Sequence, residues 1–468
     1  MDIQFYGAAR VVTGSKHLIR TDSGKTILLD CGLFQGQLHN KDEMNYHFGF
    51  NPSEIDYVIL SHAHIDHSGL LPRLVNQGFS GLIFATPATI SLCEIMLMDS
   101  AFIQSEEVRF INKRRAKRNE ELLEPLYDVE DVEKTLKLMV PVEYDETIKI
   151  EKGIYLTFTD AGHLLGSAAI NLDISTKNRK KTKITFTGDI GRFNDQILRK
   201  PQPFRQCDVL ICESTYGNRL HPTPPDIEKQ LLHVIQETCV INKGKLIIPA
   251  FSVDRTQDLV YMLDKFANKG LLPAIKVYVD SPLSVKATAV IRKHEECYNN
   301  EFLEYLHFDS DPFGFKNLTY ISDVNQSKLL NKLKEPCIII SASGMAEAGR
   351  VKHHIANNIL NPKNTILIVG YCTPESLGGQ LKAGSKQVRI FGEQYEVKCR
   401  VEKMDYFSAH ADYMEILHYL KPQNPKKVKH VFLVHGEYEA QLSLQEKLEK
   451  VGFKNILIPS LGQLVSLD

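Results

Sequence analysis

Val58-Ile59-Leu60-Ser61-His62-Ala63-His64-Ile65-Asp66-His67-Ser68-Gly69 is the stretch with the densest capacity for chemistry, because three imidazoles and a carboxylate crowd into six residues directly after an apolar run. That donor set asks for metal. Imidazole nitrogen with a single carboxylate oxygen suits zinc, and alternation along an extended segment sends His62 and His64 to one side. Asp66 and His67, at the following turn, can then face a second ion.

The same grammar recurs along the chain, with a β-branched apolar run followed at its carboxyl end by a residue that binds metal or moves a proton. Thr26 to Leu29 leads to Asp30, Leu156 to Thr159 to His163, and Ile184 to Thr187 to Asp189. Val209 to Cys212 leads to Glu213, and Val431 to Val434 to His435. Ligands gathered from the carboxyl ends of distant strands are how a sheet scaffold assembles one site. If His62, His64 and His163 hold one ion and Asp66, His67 and His435 another, Asp189 is placed to bridge them. Two such ions, typically about 3.5 to 4 Å apart, lower the pKa of a shared water toward roughly 7 and stabilise the charge of an in-line phosphoryl displacement. Hydrolysis is therefore favoured over redox chemistry. Glu213 and His410 remain outside the ligand set. A histidine whose pKa is raised by a carboxylate can protonate a leaving ribose oxygen, so His410 is expected as general acid, oriented by Glu213. The residues alone leave open that His410 caps the next helix or pairs with Asp412. Asp30 either orients a ligand histidine from behind or ends its strand.

The elements that must position these residues fall into two rhythms. Ile3 to Tyr6, His17 to Arg20 and Thr26 to Leu29 read as a sheet meander broken by Gly and Ser-Gly turns. From Ala88 to about Val140 the pattern is helical and charged, and its basic run Lys113-Arg114-Arg115-Ala116-Lys117-Arg118 reads as a solvated helix face before an RNA contact. After Gly217, strand-like runs (Lys245 to Ile248, Ile275 to Val279, Cys337 to Ile340, Thr365 to Val369) alternate with helical ones (Arg255 to Ala267, Val285 to Tyr298, Ala346 to Leu360), which predicts a parallel α/β sheet. Because His410 and His435 follow it, this second domain is inserted in the first. The expected division is 1–215, 216–392 and 393–468, with the outer pieces forming one domain. Within the insert, Ser343, Gly344 and Arg350 join a strand to a helix, either as phosphate-contacting, substrate-binding residues or as a structural turn. The loop matches neither a Walker A nor a dinucleotide fingerprint. His353 and His354, on the helix that follows, are expected at the surface.

The 468 residues suffice for more than one domain, and a formal charge of −1 confines any polyanion site to a local patch. Nine cysteines with no Cys-x-x-Cys pair fit a reducing cytoplasm. With no basic leader before Ile3 and no apolar run of about 18 residues, neither secretion nor a membrane span is expected.

Ser61 to His67 resembles the His-x-His-x-Asp-His signature of the metallo-β-lactamase superfamily, with His163, Asp189 and His435 at its later metal motifs. The chain further resembles the β-CASP branch over essentially its whole length. Glu213, His410 and His435 are similar to that branch's three extra motifs, and Ile248-Pro249-Ala250-Phe251 and Ser343-Gly344-Met345 to sequences of its inserted domain. The resemblance implies an α/β fold, an αββα metallo-β-lactamase sandwich with an inserted parallel-sheet β-CASP domain. The donor residues lead to an expectation of two Zn2+ per chain, with Mn2+ as a substitute, and of a catalytic part for Asp66, while the resemblance implies that Glu213 and His410 assist catalysis. Histidine at the third motif, where the DNA-repair branch has valine, points to single-stranded RNA. The expected activity is a metal-dependent ribonuclease, endonucleolytic or 5′-exonucleolytic, akin to the endonuclease subunit of the cleavage and polyadenylation specificity factor. The chain departs from some archaeal relatives in having no KH-type region before its first motif. No membrane partner is expected, and a homodimer is allowed for. The competing readings are a hydrolase of a small ester, thioester or lactam, and a non-catalytic RNA-binding scaffold.

Overall fold

A computed structural model describes residues 1–36, 40–176, 180–221, 226–404 and 408–467. The chain divides into two compact units, 1–220 with 409–468, and 221–408.

The first unit is built on two seven-stranded sheets. One runs in spatial order Leu464–Ser466, Asp2–Phe5, His17–Arg20, Thr26–Leu29, Tyr57–Ile59, Leu82–Ala85, Met139–Pro141. The other runs Ile456–Leu457, His430–Val434, Val209–Glu213, Lys181–Phe186, Ala168–Ser175, Ile154–Asp160, Thr147–Glu151. Alternate side chains of facing strands fill the space between them: Phe5, Ile27, Leu29 and Ile59 from one sheet meet Leu156, Phe158, Phe186, Ile211, Phe432 and Val434 from the other. The intervening Leu210, Cys212, Val431 and Leu433 turn outward onto the helices Tyr413–Leu420 and Tyr438–Lys450 through Ile416, Tyr419, Leu444 and Leu448. Burial on both faces explains why these strands read as unbroken apolar runs. Each fully buried branched side chain contributes about 1.5–3 kcal/mol. Helices Leu71–Asn76, Pro87–Ala116 and Val129–Leu136 complete the other outer layer. The layers are α, β, β, α.

Thr26–Leu29 pairs in parallel with Tyr57–Ile59, and Val209–Glu213 lies parallel to both Lys181–Phe186 and His430–Val434. Parallel neighbours deliver their carboxyl ends to one edge, which is what the site requires.

The second unit carries a six-stranded parallel sheet in the order Leu318–Ile321, Lys276–Asp280, Cys337–Ser341, Lys245–Pro249, Thr365–Val369, Arg400–Met404. Ile247, Ile339, Ile366 and Ile368 pack on Val351, Ile355 and Leu381 of its helices. The return to the first unit comes at Ala409 rather than near 392, because Arg400–Met404 pairs with Thr365–Val369 over five residues. The helix expected from Val285 to Tyr298 runs Pro282–Ile291 and is followed by a 3-10 turn, Glu295–Cys297, where the sequence becomes charged. The helix expected from Ala346 begins at Arg350. Gly349 at φ +78° sets that start, since a Cβ there would lie 2.5 Å from the Ala342 carbonyl oxygen. His354 corrects an expectation: it is fully buried, with Nε2 2.7 Å from Asp280 Oδ2 and Nδ1 2.9 Å from Asn331 Oδ1. Among the described residues, no helix is long and apolar enough to cross a membrane.

Candidate metal centre and proton donor

Ligand-type side chains of the first unit converge at the carboxyl edge of both sheets. His62 and His64 follow Tyr57–Ile59, and Asp66 and His67 sit on the short helix Ile65–Ser68. His163, Asp189 and His435 follow the strands Ile154–Asp160, Lys181–Phe186 and His430–Val434. Donor atoms of His62, His64, His163 and Asp189 lie within 4.8 Å of one another, as do those of Asp66, His67 and His435.

The distances have the form of a site for cations. Nε2 of His62 is 3.0 Å from Nδ1 of His64, which is 3.2 Å from Nε2 of His163. Nε2 of His67 is 3.0 Å from Nε2 of His435. Asp189 divides its carboxylate between the two groups. Its Oδ2 lies 3.5 Å from His62 and 3.4 Å from His163, while its Oδ1 lies 3.3 Å from His67 and 3.5 Å from His435. Oδ1 is buried with no hydrogen-bond donor. A buried carboxylate oxygen without a donor is costly unless a cation meets it.

Tautomers are fixed from behind. Asp30, fully buried, accepts the Nδ1–H of His67 at 2.6 Å and is held by Ser61 through its N–H at 2.8 Å and its hydroxyl at 2.9 Å. The same hydroxyl is 3.1 Å from His62 Nδ1, Thr215 Oγ1 is 3.0 Å from His435 Nδ1, and the Ala409 carbonyl is 3.4 Å from His163 Nδ1. With one nitrogen of His62, His163 and His435 so occupied, the other is left free to present its lone pair inward.

The electrostatics agree with this donor set. Burial drives His62 and His163 well below the ordinary imidazole range and His64 down to about 4, so all three are neutral and fit to ligate. Burial also opposes charge on His67, yet Asp189 and Asp30 outweigh it and hold its proton well above the ordinary range. A pocket that retains a proton between two buried carboxylates is one whose field stabilises a metal cation. Asp66 is lowered to about 2 by His435 and His67 against the effect of burial. The residues present thus fit a pair of metal ions.

Beside this centre, Glu213 ends its strand fully buried, and its carboxylate accepts the N–H of Ile190 at 2.7 Å and of Thr215 at 3.1 Å. His410 Nδ1 lies 3.2 Å from Glu213 Oε1 and 3.9 Å from Asp189 Oδ2. Burial pulls the His410 pKa down, but Glu213, then Asp189 and Asp66, raise it to about 9. The cap of the helix Tyr413–Leu420 is Asp412, which accepts from the N–H groups of Met414 and Glu415. His410 is therefore not the cap.

Sequence reading did not single out Ser61 and Thr215. Both lie within two residues of ones it did, Ser61 just before His62 and Thr215 two after Glu213, and nearness to a ligand or acid was the available signal. Ser343, Gly344 and Arg350 belong to the inserted unit. There the Arg350 guanidinium bonds Asp280 Oδ1 at 2.6 Å and the carbonyls of Ile321 and Ser322, and Ser343 Oγ lies 3.3 Å from the Ala348 N–H. These contacts hold the turn in place.

Comparison with known proteins agrees with the fold. Residues 18–208 match the family model of a metallo-beta-lactamase superfamily domain, 256–381 a Beta-Casp domain, and 394–459 a Zn-dependent metallo-hydrolase RNA specificity domain. The chain belongs to the β-CASP branch of the metallo-β-lactamase superfamily. It is 33% identical over 450 residues to a ribonuclease of Thermus thermophilus, covering 96% of each chain. It is 30% identical over 470 residues to an RNase J-like protein of Methanocaldococcus jannaschii, covering 99% of each. It is also 31% identical over 458 residues to the transcription termination factor FttA of Methanosarcina mazei, covering 95% of this chain and 68% of that one.

Proposed function

We propose that this protein is a zinc-dependent ribonuclease that hydrolyses phosphodiester bonds of single-stranded RNA. The observation that carries this reading is the pairing of two imidazole-rich donor groups, one to each oxygen of Asp189, with a carboxylate-bound His410 beside them. Two Zn2+ ions bound by His62, His64 and His163 and by Asp66, His67 and His435, with Asp189 shared, would supply positive charge and a water acidic enough to attack at neutral pH. The chain's own residues do the rest. Asp30, Ser61 and Thr215 keep the ring nitrogens turned inward. Glu213 accepts the Nδ1–H of His410, so the proton on Nε2 is the one delivered to the departing ribose oxygen. The ribonuclease and RNase J-like names of the relatives, and the RNA specificity model over 394–459, support RNA as substrate. The same reading carries a cytoplasmic location and allows a homodimer.

The test is cleavage of single-stranded RNA labelled at either end, beside matched DNA, by wild type, Asp66→Ala and His410→Ala, with metal content measured on each. Under this reading wild type cuts RNA, Asp66→Ala loses metal and cutting, and His410→Ala keeps metal but cuts slowly. End labelling separates internal from 5′-directed cutting. Metal-loaded wild type that leaves RNA intact but hydrolyses a thioester or lactam would overturn it in favour of a small-ester hydrolase.

A further inference from the structure

Phe391 occupies a position that local folding disfavours. It closes the hairpin between Gln387–Ile390 and Glu393–Glu396 at φ +53°, followed by Gly392 at φ +87°. A tight hairpin turn with two positive φ values suits Asn-Gly or Gly-Gly, and a bulky side chain there works against the Cβ clash that excludes left-handed backbone. Its ring gains little burial in return, being 53% exposed.

What surrounds the ring resembles a mount. The His353 imidazole, from the helix Arg350–Asn358, stacks on it with centroids 4.5 Å apart and planes at 29°. Nζ of Lys352 is 5.2 Å from its centroid. Arg389 donates from Nε to the Gly392 carbonyl at 3.2 Å, which ties a guanidinium to the turn. Of the acidic groups on the hairpin, Glu396 is paired with Lys398 at 3.0 Å and Glu393 accepts from the Tyr395 hydroxyl at 3.2 Å. An aromatic ring fixed from one side, with a lysine and an arginine beside it, offers a stack and phosphate contacts. Unpaired nucleotides fit both halves of that description, because every base has a π-face and every linkage a negative charge.

We propose that Phe391, backed by His353 and flanked by Lys352 and Arg389, is a stacking platform for an unpaired RNA base, built entirely from residues that are not metal ligands. The inference rests on the ribonuclease reading above and deepens it by naming where the inserted unit grips RNA. The chain contains no tryptophan. Phe391→Trp, placed in an Asp66→Ala background so that RNA stays intact, therefore reports from this one position. Titration with single-stranded oligoadenylate is expected to quench its emission saturably, whereas duplex RNA, whose bases are already stacked, is not. Phe391→Ala is expected to weaken oligoadenylate binding by about tenfold or more, as loss of one base stack does, with Phe391→Tyr restoring it. In cleavage, Phe391→Ala raises KM and leaves kcat. Unchanged tryptophan emission together with unaltered affinity of Phe391→Ala, in protein that binds and cuts RNA, overturns the platform and leaves the ribonuclease reading standing. Absence of RNA binding by metal-loaded wild type overturns both.

Discussion

Glu213 Oε1 and His410 Nδ1 stand 3.2 Å apart across 197 residues of sequence, with the whole inserted unit lying between them in the chain. The carboxylate is fully buried and already bound by two backbone N–H groups, so it is fixed before the imidazole reaches it. That order of rigidity fits the proposed roles, Glu213 as the orienting partner and His410 as the group that exchanges a proton.

The pair sets the alkaline side of the pH profile. His410 is raised to about 9, so its proton is available below that pH and lost as pH rises through it; bound cations draw this limb downward. His410→Ala should lower kcat by about 10²–10⁴-fold at pH 7, the usual worth of a positioned acid. Glu213→Gln removes the largest raising influence and should move the alkaline limb of kcat to lower pH, while metal content stays at the wild-type value. A pH–rate profile of the three proteins checks both statements.

Asp30 should govern affinity for metal more than chemistry. It accepts the Nδ1–H of His67 at 2.6 Å. Asp30→Asn offers a weaker acceptor and can turn its amide toward the ring, and partners of this kind are worth about 10–100-fold in metal affinity. Competition with a chromogenic chelator should show that loss, and excess Zn2+ should restore most of the activity.

Gly32 is a steric test of the Asp66 loop. A Cβ at Gly32 would fall 1.6 Å from the Asp66 carbonyl oxygen and 2.8 Å from the His67 nitrogen. Gly32→Ala must therefore push the loop that carries both residues. The expected result is loss of metal bound by Asp66, His67 and His435, with secondary structure content by circular dichroism little changed.

Removing metal should destabilise the first unit. Asp189 and the imidazoles around it are buried, and ions bound only by the folded state add stability by mass action. Chelator-treated protein should melt at lower temperature than protein with Zn2+ restored. Asp189→Asn, which weakens the shared carboxylate, should narrow the gap between the two melts in calorimetry.

Much of this arrangement is written locally and the rest is not. The ligand clusters were legible because each follows a β-branched run, and a strand's carboxyl end is a fixed address once the sheet is parallel, as at Asp189, Glu213 and His435. The inserted parallel sheet was legible from its alternation of strand and helix. The hidden parts depend on long-range partners. His354 looks like a surface histidine in sequence, and only the fold brings Asp280 to its Nε2 at 2.7 Å. Arg350 likewise gives no local sign that the same Asp280 binds it at 2.6 Å. The return from the insert near 392 could not be read locally either, because whether Arg400–Met404 belongs with Thr365–Val369 is decided by pairing and not by composition.

The insertion between Leu220 and Ala409 also has a consequence for the order of synthesis. A chain still on the ribosome that has emerged only through Ser408 holds His62, His64, Asp66, His67, His163 and Asp189, but neither His410 nor His435. These two members of the candidate site come out last, after the whole of the second unit. These side chains can therefore come together only once nearly the whole chain has been made.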